Sequence, residues 1–198
     1  MKGYTSRAKI ENFLLITVDE SFHDQVDEVI GDVEQLIDTH TGRNFIADAE
    51  ASARLFNGNN TNELELDDCV AIESVELGSD EYGTSFSETT GYVLLPANAI
   101  AKGQPIKAIH LKTEFFERGI QNQRITAKWG YSAACPGDIS MAATILAAHI
   151  WKFGRGGVTG GIAQEKIGNY SVIYKDEKDK SDYETAMAIL DKYQRYYL

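Results

Sequence analysis

Arg124-Ile125-Thr126-Ala127-Lys128-Trp129-Gly130-Tyr131, followed by Cys135-Pro136-Gly137-Asp138-Ile139, is the stretch on which the reading of the fold turns. The first half alternates cleanly. Ile125, Ala127 and Trp129 share one face, which predicts a half-buried strand. The second half opens a helix over about 137–153, with Ile139, Met141, Ala142, Ala143, Ile145, Leu146, Ala147, Ala148, Ile150, Trp151 and Phe153 placed on nearly all sides. A helix apolar all round is central to its fold or shared with a neighbouring subunit. Downstream lies a glycine-rich break, Gly154-Arg155-Gly156-Gly157-Val158-Thr159-Gly160-Gly161, then the strand-like Ile167–Tyr174. A last helix is expected over about 182–196, opened by Ser181-Asp182-Tyr183-Glu184 as a capping box.

Upstream, residues 5–16 read as a short helix with Ile10, Phe13 and Leu14 on one face. Thr17-Val18-Asp19-Glu20 resembles a capping box, with Asp19 as a rival cap. A second helix over about 19–40 carries the apolar stripe Phe22, Val26, Val29, Ile30, Val33, Leu36 and Ile37. Gly42 is placed to close it in the left-handed conformation. The middle, about 46–131, changes period. Short strands are expected around Ala53 and Leu55, at Glu63–Leu66, Val70–Leu77, Tyr92–Leu95 and Pro105–Leu111, with an exposed loop over 78–91. The expected fold is therefore α+β. It is a single, mostly helical domain over 1–198, with four helices around or beside a small antiparallel sheet and long loops.

Composition bounds function. The chain has 198 residues, enough for one real core. It carries 30 Asp plus Glu against 19 Lys plus Arg, a net charge of -11. That balance argues against a protein gripping nucleic acid over a broad surface. Asp24, Asp27, Glu28 and Asp32 belong to a run of seven acids without a base between Glu20 and Asp38. The run reads as a solvated face, or as a negative surface kept for a partner or a channel wall. Cys69 and Cys135 sit in unlike contexts and are expected to be free thiols, although one disulfide is possible. No signal peptide and no membrane-spanning run is expected.

No motif is built for catalysis. His23, His40, His110 and His149 have no partner at ligand spacing, and Asp67, Asp68, Asp80 and Glu81 lack calcium-loop spacing. The glycine run follows a helix instead of opening one and lacks the P-loop lysine. No catalytic residue, metal site or cofactor is expected. Gly154, Gly156, Gly157, Gly160 and Gly161 are instead candidates for a hinge or mobile loop. Glu63 and Glu65 alternate with Leu64 and Leu66 as a wet sheet face does, and Ser140 sits in no nucleophile elbow. Tyr193, Tyr196, Tyr197 and Leu198 make the end of the chain aromatic and apolar. They are candidates for contact with another chain or for docking to the chain's own core. Arg43 is expected to bond a carboxylate or a helix-end carbonyl and so hold the turn after Gly42.

Taken in order, the segments resemble the tailed-bacteriophage head-tail connector proteins, also called head-completion or adaptor proteins. The resemblance rests on the acidic-faced second helix running into Thr41-Gly42-Arg43-Asn44-Phe45, on Gly130, Tyr131 and Pro136 before the third helix, and on Glu165–Val172 before the last. Gly42, Arg43 and Phe45 match a glycine-arginine pair followed by an aromatic. The 78–104 stretch looks longer than in compact members. The resemblance implies a structural, non-enzymatic ring of about twelve copies of the chain below the portal protein. The ring would join the DNA-filled head to a stopper or tail-completion protein, with DNA passing through without specific binding. It implies assembly in the host cytoplasm and residence in the virion neck. The alternatives are another neck component such as a tail-terminator, or an unrelated soluble ligand-binding or enzymatic domain.

Overall fold

The computed structural model describes residues 1–152, 163–167, 170–174 and 177–195. These divide into two compact units, a helical one (1–43 and 135–198) and a sheet unit (44–134). The fold is α+β, with helix and strand taking nearly equal shares of the described residues.

In the helical unit, α1 (Arg7–Leu14) starts at Ser6, whose hydroxyl accepts from the Lys9 amide at 3.4 Å. It ends earlier than the expected residue 16, because Leu15 turns into the left-handed region (φ 55) and its amide bonds back to the Glu11 carbonyl. Of its expected apolar face only Ile10 is fully buried, and Phe13 is exposed. Asp19, not Thr17, makes the next cap. Its carboxylate accepts from the Ser21 amide (2.9 Å) and hydroxyl (2.6 Å), opening a 3-10 turn at Glu20–Phe22. Asp19 is the residue directly before that turn and its carboxylate satisfies the exposed Ser21 amide, so the expected box at 17–20 does not form. Helix α2 (His23–Thr41) follows without a side-chain cap, four residues later than expected. Val26, Val29, Ile30, Val33 and Ile37 are buried as the stripe requires, whereas Phe22 is exposed.

Helix α3 (Gly137–Ile150) is the centre of this unit. Ten of its residues are buried, and α1, α2 and α4 all pack against it. Alanines at 142, 143, 147 and 148 keep its surface low enough for three helices to approach. Thr5 and Thr144 share a hydroxyl hydrogen bond of 2.7 Å beneath α1. Helix α4 runs Glu177–Asp191. The proposed box at Ser181–Glu184 therefore lies inside it, and the Ser181 carbonyl accepts from the Thr185 hydroxyl at 2.8 Å. Glutamate and lysine at 177, 178 and 180 favour helix, so the turn forms before the serine can cap it. Tyr183, Ala186, Ile189 and Leu190 are buried. Of the strand-like run at 167–174, Tyr170–Tyr174 form β8, paired antiparallel with β7 (Ala163–Ile167). The glycine run 154–161 lies outside the described residues. Among the described residues no helix is long and apolar enough to cross a membrane.

The sheet unit is six strands, all paired antiparallel, in the order β1-β6-β2-β5-β4 with β3 beside β2. The strands are β1 (Ser52–Gly58), β2 (Glu63–Gly78), β3 (Phe86–Glu88), β4 (Tyr92–Leu95), β5 (Ile106–Leu111) and β6 (Gly119–Trp129). The two segments expected at 63–66 and 70–77 are one strand, β2. Its first part pairs with β5 and its second with β6, with irregular register around Cys69–Ser74. Such irregularities bend a long strand without ending it. The expected loop over 78–91 contains β3. Its residues pair Glu76–Gly78, and Phe86 lies under the Arg124 guanidinium at 4.3 Å. A three-residue edge strand with serine and glutamate around one aromatic carries no alternation that sequence reading can detect. The core gathers Leu64, Leu66, Cys69, Val75, Ile106, Ile109, Leu111, Phe116, Ile125, Ala127 and Trp129.

Candidate assembly surfaces

The turn after α2 is closed by Gly42 at φ 66, and its amide bonds the Asp38 carbonyl at 2.8 Å. Arg43 Nε then donates to the Tyr193 carbonyl at 2.6 Å, just past the end of α4. Next to it the Arg195 amide donates to the Thr41 carbonyl (2.9 Å), and the Tyr193 hydroxyl donates to Asp138 at 2.7 Å. Residues 193–195 are thus laced to α2 and α3 within the helical unit. Tyr193 is half-buried there, and Tyr196, Tyr197 and Leu198 lie outside the described residues. Replacing Arg43 with alanine is expected to cost about 1–3 kcal/mol, because a carbonyl loses a charged donor. Urea unfolding followed by circular dichroism measures this, and unchanged stability would refute the role.

Phe45 belongs to the sheet unit. It is fully buried and packs tilted on Tyr131, ring centroids 5.5 Å apart. The Tyr131 amide donates to the Asn44 carbonyl at 2.8 Å. Gly130 sits at φ 136, and an added Cβ would come within 2.4 Å of Ala47 Cα. Only glycine fits there. The aromatic after Gly42-Arg43 and the glycine-tyrosine pair before α3 therefore meet in space.

The acidic run on α2 separates into two sets. Asp24 and Glu28 are exposed and Asp32 is half-buried. Asp27 pairs with Arg7 at 2.9 Å. Glu34 is buried, and its carboxylate accepts from the backbone amides of Lys2 (2.5 Å), Gly3 (2.7 Å) and Tyr4 (2.9 Å). Asp38 accepts from the Tyr4 hydroxyl at 2.6 Å and pairs with the Lys2 ammonium. Part of the run thus holds residues 2–4 onto the helix, and the negative outer face is smaller than the sequence suggested. The available signal was positional: Glu34 falls on the stripe of Ile30, Val33 and Ile37, where an acid needs a partner.

The residues considered for chemistry are dispersed. Cys69 and Cys135 are free thiols. Burial pushes Cys69 up to about 12 and Cys135 up to about 11, so neither is a ready nucleophile. His40 pairs with Asp191 at 2.8 Å, and His110 faces Glu63 at 3.8 Å. Asp67 pairs with Arg54 at 2.7 Å. Asp80 accepts from the Thr84 hydroxyl and from the amides of Tyr82 and Thr84, and these bonds hold its carboxyl below the usual range. Glu63 and Glu65 lie on the exposed side of β2. Ser140 accepts from the Lys9 ammonium at 2.6 Å. Among the described residues no three His, Cys, Asp or Glu side chains gather as a metal ion would require.

Among the described residues, clefts open in the sheet unit. One, of about 550 Å³, is lined by Glu88, Glu114 and Glu117 with Phe115, Ser79 and Thr89. Another, of about 560 Å³, is lined by Asn57, Gly58, Glu81, Arg118, Gly119 and Ile120. Neither brings together a nucleophile, a base and an oxyanion donor.

No family model and no curated protein matches the sequence. Solved structures do share the fold. A chain of the neck of an empty gene transfer agent (GTA) particle, computed with C6 symmetry, aligns over 96% of this chain and 89% of its own at 14% identity, with a TM-score of 0.56. A chain of the virion of the native GTA particle aligns over 92% and 81% at 12% identity (TM-score 0.52). One from the native neck, computed with C12 symmetry, aligns over 96% and 88% at 14% identity (TM-score 0.50). At such identities the likeness is one of fold, and it extends over nearly the whole chain.

Proposed function

We propose that this chain is a structural component of the neck of a phage-like particle, a head-tail connector that works as a ring of copies between portal and stopper or tail. The observation that carries this reading is the fold shared over 96% of the chain with a protein of a GTA particle neck. The absence of a convergent catalytic set among the described residues is compatible with it. So is the pairing of Phe45 with Tyr131, which joins two segments of the connector resemblance. In this role no bond is made or broken. Repeated modest interfaces hold together because each closes after its neighbours have already closed. With Tyr193 bonded within the helical unit, Tyr196, Tyr197 and Leu198 are proposed to face a neighbouring component, and the glycine run 154–161 to adjust on docking. Asp24, Glu28 and Asp32 are proposed to keep duplex DNA from sticking.

Net charge sets the expected solution behaviour. Copies at -11 each repel at low salt, and added salt screens this over about 8–10 Å. Sedimentation velocity over a salt series is expected to show monomers or small oligomers at low salt and larger species as salt rises. A parallel run with labelled duplex DNA is expected to show no appreciable binding. Native mass spectrometry with portal rings then tests the connector role. A chain that neither forms rings nor joins portal rings, or that binds duplex DNA tightly at moderate salt, would refute it.

A further inference from the structure

We propose that Leu15 is a knob by which one copy of this chain grips the next, seated in the cleft beside Arg118 and Ile120 of the neighbouring copy. The inference rests on the ring reading above and names the contact that would close such a ring.

Leu15 is anomalous twice. Its side chain is 90% exposed, the most of any large apolar residue among the described residues. Its backbone is left-handed at φ 55, ψ 42, a conformation that glycine adopts freely and leucine only against its Cβ. The strain is held in place from outside the residue. The Glu11 carbonyl accepts from the amides of both Leu15 and Ile16, and the Glu11 carboxylate accepts from the Val18 amide at 2.8 Å. A backbone outlier that projects an apolar side chain into water points to a partner. Phe13 (42%) and Ile16 (46%) widen the apolar surface, and the exposed acids Asp19 and Glu20 follow it.

Between the two clefts described above, about equal in size, the receiving site is chosen by charge. The cleft with Glu88, Glu114 and Glu117 would repel a knob bordered by acids. The other sets the cation Arg118 against a single acid, Glu81, and offers Ile120, 55% exposed, as an apolar wall. Gly58 and Gly119, both buried, let the backbones that line it pack closely. An added Cβ would lie 1.7 Å from the Glu117 carbonyl oxygen at Gly58 and 2.6 Å from the Glu81 carbonyl oxygen at Gly119. Ile120 is presented on a second strained segment, with Gln121 at φ 53 pinned by its amide to Asn57. Each copy therefore carries a knob in its helical unit and a cleft in its sheet unit. Such a heterologous pair repeats head to tail and makes a ring when its rotation closes. Apolar burial supplies the hold, while Arg118 opposite Asp19 or Glu20 sets register.

The test uses the full chain carrying Cys135→Ser, with buried Cys69 left in place. One population carries Leu15→Cys and a second, distinguishable by mass, carries Ile120→Cys. Under conditions where the wild type oligomerises, mild oxidation of the mixture is expected to give the hetero-crosslinked dimer. In parallel, Leu15→Gly is expected to weaken self-association by about tenfold or more, as loss of an anchor does. Its melting temperature should be unchanged or higher, because the strain is relieved. Arg118→Glu should also weaken association, and Glu20→Arg should restore it. Wild-type oligomers without the hetero-crosslink, or a Leu15→Gly variant that loses stability but keeps association, would overturn the knob and leave the ring reading standing. A wild type that stays monomeric at every concentration and salt, and also fails to join portal rings, would remove both.

Discussion

Replacing Trp129 with alanine is expected to destabilise the sheet unit by about 3–5 kcal/mol, as loss of a large buried aromatic does. Trp129 is 1% exposed at the end of β6, opposite Cys69 of β2. Its ring packs on Phe56 with centroids 5.8 Å apart and carries the Arg54 guanidinium at 4.5 Å. Its indole Nε1 donates to the Ser52 carbonyl at 2.8 Å. One side chain thus ties the edge strand β1 to the two central strands, and alanine would leave both a cavity and a lost donor. Urea unfolding by far-ultraviolet circular dichroism measures the loss. Trp151, the other tryptophan, then serves alone as a fluorescent reporter of the helical unit. A loss below about 1 kcal/mol would show that the strands hold together without this anchor.

Glu34→Ala is expected to destabilise the helical unit by about 3 kcal/mol, because the carboxylate is buried and accepts three backbone amides at once. Of those amides, the one from Tyr4 is buried and cannot turn to water. Glu34→Gln keeps one acceptor oxygen and should lose less than alanine. The same denaturation series checks the order, and amide exchange at residues 2–5 should rise in both variants. Stability and exchange unchanged in Glu34→Ala would mean that residues 2–4 are held by Asp38 and packing alone.

Much of the architecture was legible because it depends on period. The stripe from Val26 to Ile37, the all-apolar α3 and the alternation of Ile125, Ala127 and Trp129 each report a buried face that any compact arrangement must cover. Gly42 was legible for a similar reason, since a helix end has few ways to finish. Boundaries were less so. Whether Thr17 or Asp19 caps, and whether Ser181 opens α4 or lies within it, differs by small local energies that neighbouring contacts decide.

What the sequence by itself determined, then, is the α+β class and the order of four helices with a strand-rich stretch between the second and the third. The tertiary structure alone decided how distant groups are used. It alone turned Glu34 and Asp38 from an apparent solvent face onto residues 2–4. It alone set Phe45 against Tyr131, and left Leu15 strained and exposed beside a buried Ile10. The physical reason is range. Periodicity and capping act within a turn or two of chain and are written in neighbouring residues. Hydrogen-bond partners, aromatic pairs and exposure depend on which segments fold back together, and that depends on the packing of the whole unit.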